Sequence, residues 1–247
     1  GEHPGRGLRA SESLNNDLLE VATEIAENVE ELVAGPDCPP FAVWSYSLGC
    51  AVAFEFIRAV RRMYDRAPVT FCLSVRRPPG LPVAPFSFPD GSTMTVDELL
   101  KGSDLQLLTS VAHYYGNSTL AKMLDAVREP ATEGESAEVA STRKYIFEKV
   151  APMIRSDMEM GASAASVYWD PEFEDEPKLQ CSILAYAAGD AHDIDSSPDA
   201  VKGWQEVTDG PFTLRTIEDC THEGMLKNAE MIDACGQWLQ DAVAALG

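Results

Sequence analysis

The chain has 247 residues, is 45% hydrophobic and carries a formal net charge of −21. That is enough apolar material for one large α/β domain, and no run approaches the ~20 uninterrupted apolar residues of a membrane helix. The acidic balance excludes nucleic-acid binding through a general electrostatic surface, which needs clustered Lys and Arg.

The chain opens GEHPGRGLRA, with neither a starting methionine nor the apolar core of a signal peptide. It therefore reads as an excerpt or processed product. Residues 14–33 place Leu14, Leu18, Val21, Ile25, Val29 and Leu32 at steps of three and four, which predicts an amphipathic helix stopped by Gly35-Pro36. An apolar run at Phe41–Trp44, a turn at 45–49 and a helical stretch to about Tyr64 follow. A second β-type run, Val69–Leu73, leads into Arg76-Arg77-Pro78-Pro79. Short β runs alternating with helices predict an α/β fold with a mostly parallel sheet.

Residues 80–176 change character. A proline-rich loop precedes helices expected near 95–101, 103–115, 118–127 and 140–160, with an acidic exposed stretch at 128–139 and no convincing strand. This segment is expected to be a helical lid inserted into a core made of 1–79 and 177–247, one domain overall. The β pattern resumes at Cys181–Ala187. A helix near 198–206, a strand near 212–217 and a last helix at about 226–246 follow. Four strands are few for such a sheet, so further strands are expected upstream of residue 1.

The six cysteines (Cys38, Cys50, Cys72, Cys181, Cys220 and Cys235) form no C-x-x-C pair and no metal-ligand spacing. Cys50, Cys72 and Cys181 lie in apolar stretches, where a free thiol behaves as a small hydrophobe. A reducing, cytoplasmic setting is expected.

Ser45-Tyr46-Ser47-Leu48-Gly49 stands between a β run and a helix. A strand-to-helix turn presenting a nucleophilic serine needs small residues two before and two after it, here Ser45 and Gly49. The helix that follows aims its N-terminal amides at a developing oxyanion, with the Leu48 N–H as donor. A tight βα turn with a helix-capping serine fits the same residues. A nucleophile needs a base, and the chain has four histidines: His3, His113, His192 and His222. In hydrolases with this turn the chain order is Ser, acid, His. His222, after the strand near 212–217, fits that order, and an exposed loop histidine is the alternative. His113 falls within a helix of the insertion, and His3 is near the terminus. The acid is expected in Gly189-Asp190-Ala191-His192-Asp193-Ile194-Asp195, where three carboxylates compete to orient the base. Metal ligation by this loop is disfavoured because no second ligand cluster accompanies it.

Together these residues resemble the type II thioesterases, the α/β-hydrolases that serve polyketide, nonribosomal peptide and fatty acid synthases. Pro4-Gly5-Arg6-Gly7 with Arg9 and Glu12 is similar to the family's P-G-R-x-x-R segment. Ser45–Gly49 followed by Ala53-Phe54-Glu55 is similar to its G-H-S-M-G…A-F-E elbow. Ser74–Pro79 resembles its S-G-R-x-A-P turn, and Asp97–Leu100 with Pro152–Asp157 its lid-region pattern. Pro198-Asp199-Ala200 with Trp204, and Thr221-His222, resemble the end of the family pattern. The departures are Ser45 and Tyr46 in place of Gly and His, and Glu223 where an aromatic usually follows the catalytic histidine.

The resemblance implies an α/β-hydrolase fold with Ser47 as nucleophile, His222 as base and the Leu48 N–H in the oxyanion hole. The family's usual acid position falls on His192, and counting back from Trp204 points to Asp193, with Asp190 second and Asp195 third. A second oxyanion donor is expected upstream of residue 1. The implied activity is hydrolysis of acyl thioesters carried on phosphopantetheine, with no cofactor and no metal. The implied partners are an acyl or peptidyl carrier protein, or acyl-CoA, met by a monomer. Arg76-Arg77 and Arg143-Lys144 are candidate docking spots. A carboxylesterase or lipase-like hydrolase, or a non-catalytic acyl- or carrier-binding relative, are the competing readings.

Overall fold

A computed structural model describes residues 3–35, 37–88, 90–127, 135–190 and 193–245. The chain divides into two compact units, one of residues 17–83 and 163–245, the other of residues 3–16 and 84–162.

The first unit holds a four-stranded parallel sheet in the order β1 (Ala42–Tyr46), β2 (Thr70–Ser74), β5 (Ser182–Ala188), β6 (Phe212–Ile217). All five residues of β2 are buried, as expected of a central parallel strand covered on both faces. One face packs Phe71, Leu73, Ile183 and Ala185 against Trp204 and against Ala53, Phe54 and Ile57 of α3 (Gly49–Tyr64). The other packs Cys72, Leu184 and Tyr186 against Met225 of α10 (His222–Met225) and Met231 and Cys235 of α11 (Ala229–Ala244). Cys72 Sγ lies 2.6 Å from Cys235 Sγ in that seam. The outer strand β1 leaves Trp44 45% exposed.

The helix expected over 14–33 is α1 (Leu18–Asn28) with a short α2 (Glu30–Val33). It starts late because the Asp17 carboxylate caps it, accepting from the Glu20 N–H at 2.9 Å. The expected final helix is α11, which starts at Ala229 because the Asn228 side chain caps it, accepting from the Met231 N–H at 2.8 Å, and the short α10 precedes the expected span. The helix near 198–206 is α9 (Pro198–Lys202) followed by a 3-10 turn at Gly203–Val207. On α3, Glu55 is fully buried, and burial pushes its carboxyl up against the opposing pull of Arg58, 2.9 Å away. The Arg58 guanidinium also pairs with Glu176 and sits over the rings of Phe54 and Phe173.

The second unit is mainly helical: α4 (Val96–Lys101), α5 (Asp104–Tyr114), α6 (Ser118–Asp125), α7 (Ala137–Tyr145) and the part of α8 (Ala151–Tyr168) up to Ala162, with a π turn at Ile146–Val150. It also contains an antiparallel pair, β3 (Phe86–Ser87) and β4 (Thr93–Met94), where no strand is expected. At two residues each, these strands are too short to show a period in sequence. Most of the acidic stretch at 128–139, residues 128–134, lies outside the described residues.

This unit differs from the 80–176 segment because side chains redraw its limits. Arg6 forks onto Asp157, with Nη1 3.2 Å from Oδ2, which ties residues 3–16 to α8. The Arg155 guanidinium donates to Asp104 Oδ1 at 2.6 Å. In the first unit, the Trp169 indole donates to the Gly80 carbonyl at 2.9 Å and Tyr168 packs 5.9 Å from the Phe54 ring. The helical unit has a groove of about 640 Å³ lined by Phe88, Met94, Leu105, Gln106 and Thr109 among others.

Candidate active site

Parallel strands bring their carboxyl ends to one edge of the sheet, where ligands of open α/β sheets bind. Ser47 follows the last residue of β1. Its N–H donates to the Ser74 carbonyl of the neighbouring strand at 3.0 Å, and its φ is +53°. A non-glycine residue held in the left-handed region carries strain of order 1–3 kcal/mol, and such residues cluster at functional sites. The twist turns Ser47 Oγ out of the strand and to within 2.9 Å of His222 Nε2.

Helix α3 begins directly after Leu48, whose N–H finds no acceptor among the described residues. The steric reason for a small residue at Gly49 is absent, since a Cβ there would meet nothing within 4 Å. Ser45, two residues before Ser47, is 7% exposed on the strand.

His222 is not in an open loop. It is the first residue of α10, 7% exposed, and Thr221 caps that helix by accepting from the Gly224 N–H at 3.1 Å. Tyr46 supports it: the phenol donates to the His222 carbonyl at 2.7 Å, and its ring meets the imidazole edge-on at 5.3 Å. Burial, and then the charge of Asp193, push the Tyr46 phenol upward, so it stays a neutral donor.

The loop after β5 sorts the three candidate acids. Gly189 passes so close to the end of β6 that a Cβ would lie 3.1 Å from the Ile217 carbonyl. Asp190 is exposed, and its N–H is bound to the Cys220 carbonyl. Residues 191 and 192, including His192, lie outside the described residues. Asp193 is 1% exposed, with Oδ2 3.3 Å from His222 Nδ1. Asp195 is equally buried and pairs with Arg77 instead. Ser196, fully buried, places Oγ 2.7 Å from His222 Nδ1 and 2.5 Å from Asp193 Oδ1.

Ser47, His222 and Asp193 are therefore brought together, while Asp190 and Asp195 are not part of the constellation. Tyr46 and Ser196 are the site residues that sequence reasoning missed. Tyr46 registers there only as a departure from a pattern, and Ser196 carries no signal beyond its place in the acid loop. The expected basic docking spots are largely committed elsewhere. Arg77 holds Asp195 and the Pro82 carbonyl, and Arg143 holds Glu135 and, at 2.8 Å, the Val127 carbonyl. His113 stacks on Phe88 in the helical unit. Among the described residues no group of three or more His, Cys, Asp or Glu is placed to hold a metal ion.

No protein-family model matches the chain. Among solved structures it is similar to the RedJ thioesterase of the prodiginine biosynthetic pathway of Streptomyces coelicolor. That match has a TM-score of 0.66 and 22% identity, over 98% of this chain and 78% of that one. It is also similar to BorB, a type II thioesterase from the borrelidin biosynthetic cluster, with a TM-score of 0.62 and 21% identity over 98% and 79% of the two chains. The fold is that of the α/β-hydrolases. A curated relative, the linear gramicidin dehydrogenase LgrE of Brevibacillus parabrevis, is 24% identical over 218 residues. This match covers 87% of the chain and 66% of that protein's length, just under two thirds. No helix is long and apolar enough to cross a membrane among the described residues.

Proposed function

We propose that this α/β-hydrolase fold carries an acyl-thioester hydrolase acting on acyl groups held by phosphopantetheine, on a carrier protein or on coenzyme A. The observation that carries the reading is Ser47, held at φ +53° with Oγ 2.9 Å from His222 Nε2. The similarity to RedJ and BorB, both described as thioesterases, supports the choice of substrate class.

In this mechanism His222 Nε2 takes the Ser47 hydroxyl proton as Oγ attacks the thioester carbonyl. The tetrahedral oxyanion accepts from the Leu48 N–H. Collapse expels the pantetheine sulfur, to which the imidazolium returns the proton. A water activated by the same imidazole then releases the free acid from Ser47. Asp193 supplies the negative charge that stabilises the imidazolium. No cofactor enters the cycle. The free cysteines, most of them buried, suit a reducing compartment.

The test compares hydrolysis of an acyl-pantetheine thioester by the wild-type chain and by Ser47→Ala. A loss of at least about 1000-fold is expected, since removing a triad nucleophile leaves only binding and oxyanion stabilisation. Equal turnover by the two proteins overturns the reading. Turnover of matched aryl esters with none of the thioester replaces it with a carboxylesterase.

A further inference from the structure

Every hydrolase of this design must hold its histidine in the tautomer whose Nε2 is bare, and here the acid does not do so directly. Asp193 Oδ2 lies 3.3 Å from His222 Nδ1, inside ion-pair range, but the contact does not meet hydrogen-bond geometry. The group in hydrogen-bond contact with Nδ1 is the Ser196 hydroxyl at 2.7 Å. The same oxygen lies 2.5 Å from Asp193 Oδ1 and 3.4 Å from the Val75 carbonyl. A hydroxyl has one proton and two lone pairs. The short contact to a carboxylate, a charge-assisted one, takes the proton ahead of the long contact to a neutral carbonyl. A lone pair of Ser196 Oγ is then left facing Nδ1, which must carry the proton.

We infer that Ser196 is a positioning residue interposed between acid and base, so that the constellation runs Ser47–His222–Ser196–Asp193. The Ser47 hydroxyl donates to Nε2, Nδ1–H donates to Ser196 Oγ, and the Ser196 hydroxyl donates to Asp193 Oδ1. His222 and Ser196 each have one donor and one acceptor role, and the direction of the chain leaves Nε2 free to act as base. Asp193 acts on the imidazole through this hydroxyl as well as across the 3.3 Å gap.

Burial adds to the argument. Ser196 is fully enclosed and Asp193 nearly so, and buried polar groups of this kind are expected to be hydrogen-bonded. The 3-10 turn Ile194–Ser196 returns the Ser196 side chain over Asp193, and the Ser196 N–H lies 3.4 Å from the Asp193 carbonyl. A serine that merely fills this turn would need the carboxylate but not the imidazole. The 2.7 Å contact to Nδ1 is what such a role leaves unexplained.

The inference rests on the thioesterase reading, and the experiment separates the two. Steady-state hydrolysis of an acyl-pantetheine thioester is measured for wild type, Ser47→Ala, Ser196→Ala and Ser196→Thr. Ser196→Ala is expected to lower kcat about 10- to 100-fold with KM nearly unchanged, well short of the ~10⁴-fold cost of a wrong tautomer. Ser196→Thr, which keeps the hydroxyl, is expected to recover most of that loss. In parallel, ¹⁵N-labelled histidine reports which imidazole nitrogen holds the proton, with His222 assigned by its loss in His222→Gln. Wild type is expected to show the Nδ1–H tautomer and Ser196→Ala a mixture.

An unchanged kcat and tautomer in Ser196→Ala overturn the interposed serine, as does a loss that Ser196→Thr fails to restore. If Ser196→Ala does not fold, Ser196→Cys keeps the shape with a weaker donor. An intermediate kcat then supports the relay and a wild-type kcat overturns it. Inactive Ser47→Ala beside unaffected Ser196 variants sinks this inference alone. Fully active Ser47→Ala sinks the thioesterase reading first.

Discussion

The ends of β1 and β2 make a natural pair. The two strands are neighbours in register, Tyr46 opposite Ser74, and each is followed by a non-glycine residue at φ +53°. At the first end the twist presents a side chain, Ser47 Oγ, to the imidazole. At the second the twisted residue is Val75, fully buried, a β-branched side chain in a region that such residues strongly avoid. It offers no chemistry. Of its neighbours, Arg77 holds the acid loop through Asp195, and the Arg76 carbonyl accepts from the Trp204 indole at 2.6 Å. One strand end carries the proposed nucleophile and the next holds the loop from which the proposed acid comes.

The contrast can be broken most forcefully at the acid. Asp193→Asn is expected to lower kcat/KM for an acyl thioester by about 10³- to 10⁴-fold, whereas Asp190→Asn stays within about twofold of wild type. The reverse order would move the acid to the exposed end of the loop. A smaller effect is expected from Asp195→Ala, which leaves the Arg77 guanidinium, 12% exposed, without its carboxylate. Urea unfolding should show a loss of about 3 kcal/mol, the usual scale for removing one partner of a buried pair. A change below about 0.5 kcal/mol, the range of ordinary surface substitutions, would mean that the clamp contributes nothing.

The finest test concerns the strain itself. Glycine in a strand or helix is ordinarily less stable than alanine by about 0.5–1 kcal/mol. At Val75 the order should invert, with Val75→Gly about 1 kcal/mol more stable than Val75→Ala, because only glycine adopts positive φ without steric cost. The same pair of substitutions at Ser47 should invert in the same way. Normal order at Val75 alone would show that the two strand ends are not equivalent after all.

Much of this arrangement is legible from residues alone. The β6 pattern at 212–217 matches the observed strand, because six residues rich in Thr, Phe and Ile between Gly210-Pro211 and Glu218-Asp219 are too few for a helix and favour a strand. Ser47 and His222 stand out because a strand-to-helix turn and a histidine after the last strand are local features. The acid is less legible: three aspartates within six residues look alike until burial separates Asp193 from Asp190 and Arg77 claims Asp195. Tyr46 and Ser196 are invisible at that level, since their roles depend on partners 176 and 26 residues away. The small β3–β4 pair and the late start of the last helix after Asn228 escape periodicity because each turns on a few residues and a single cap.

The acid loop is held on both sides of Asp193. Asp195 and Ser196 anchor it downstream of Asp193, while Gly189 and Asp190 are held to the ends of β6 and its following turn. Asp193 itself is gripped from its downstream side, through the Ser196 hydroxyl and the neighbouring Arg77–Asp195 pair. A carboxylate tethered from behind in this way does not depend on its distance from the strand that introduces it. That accounts for a spacing of four residues from Gly189 to Asp193, where the resemblance leads one to expect three.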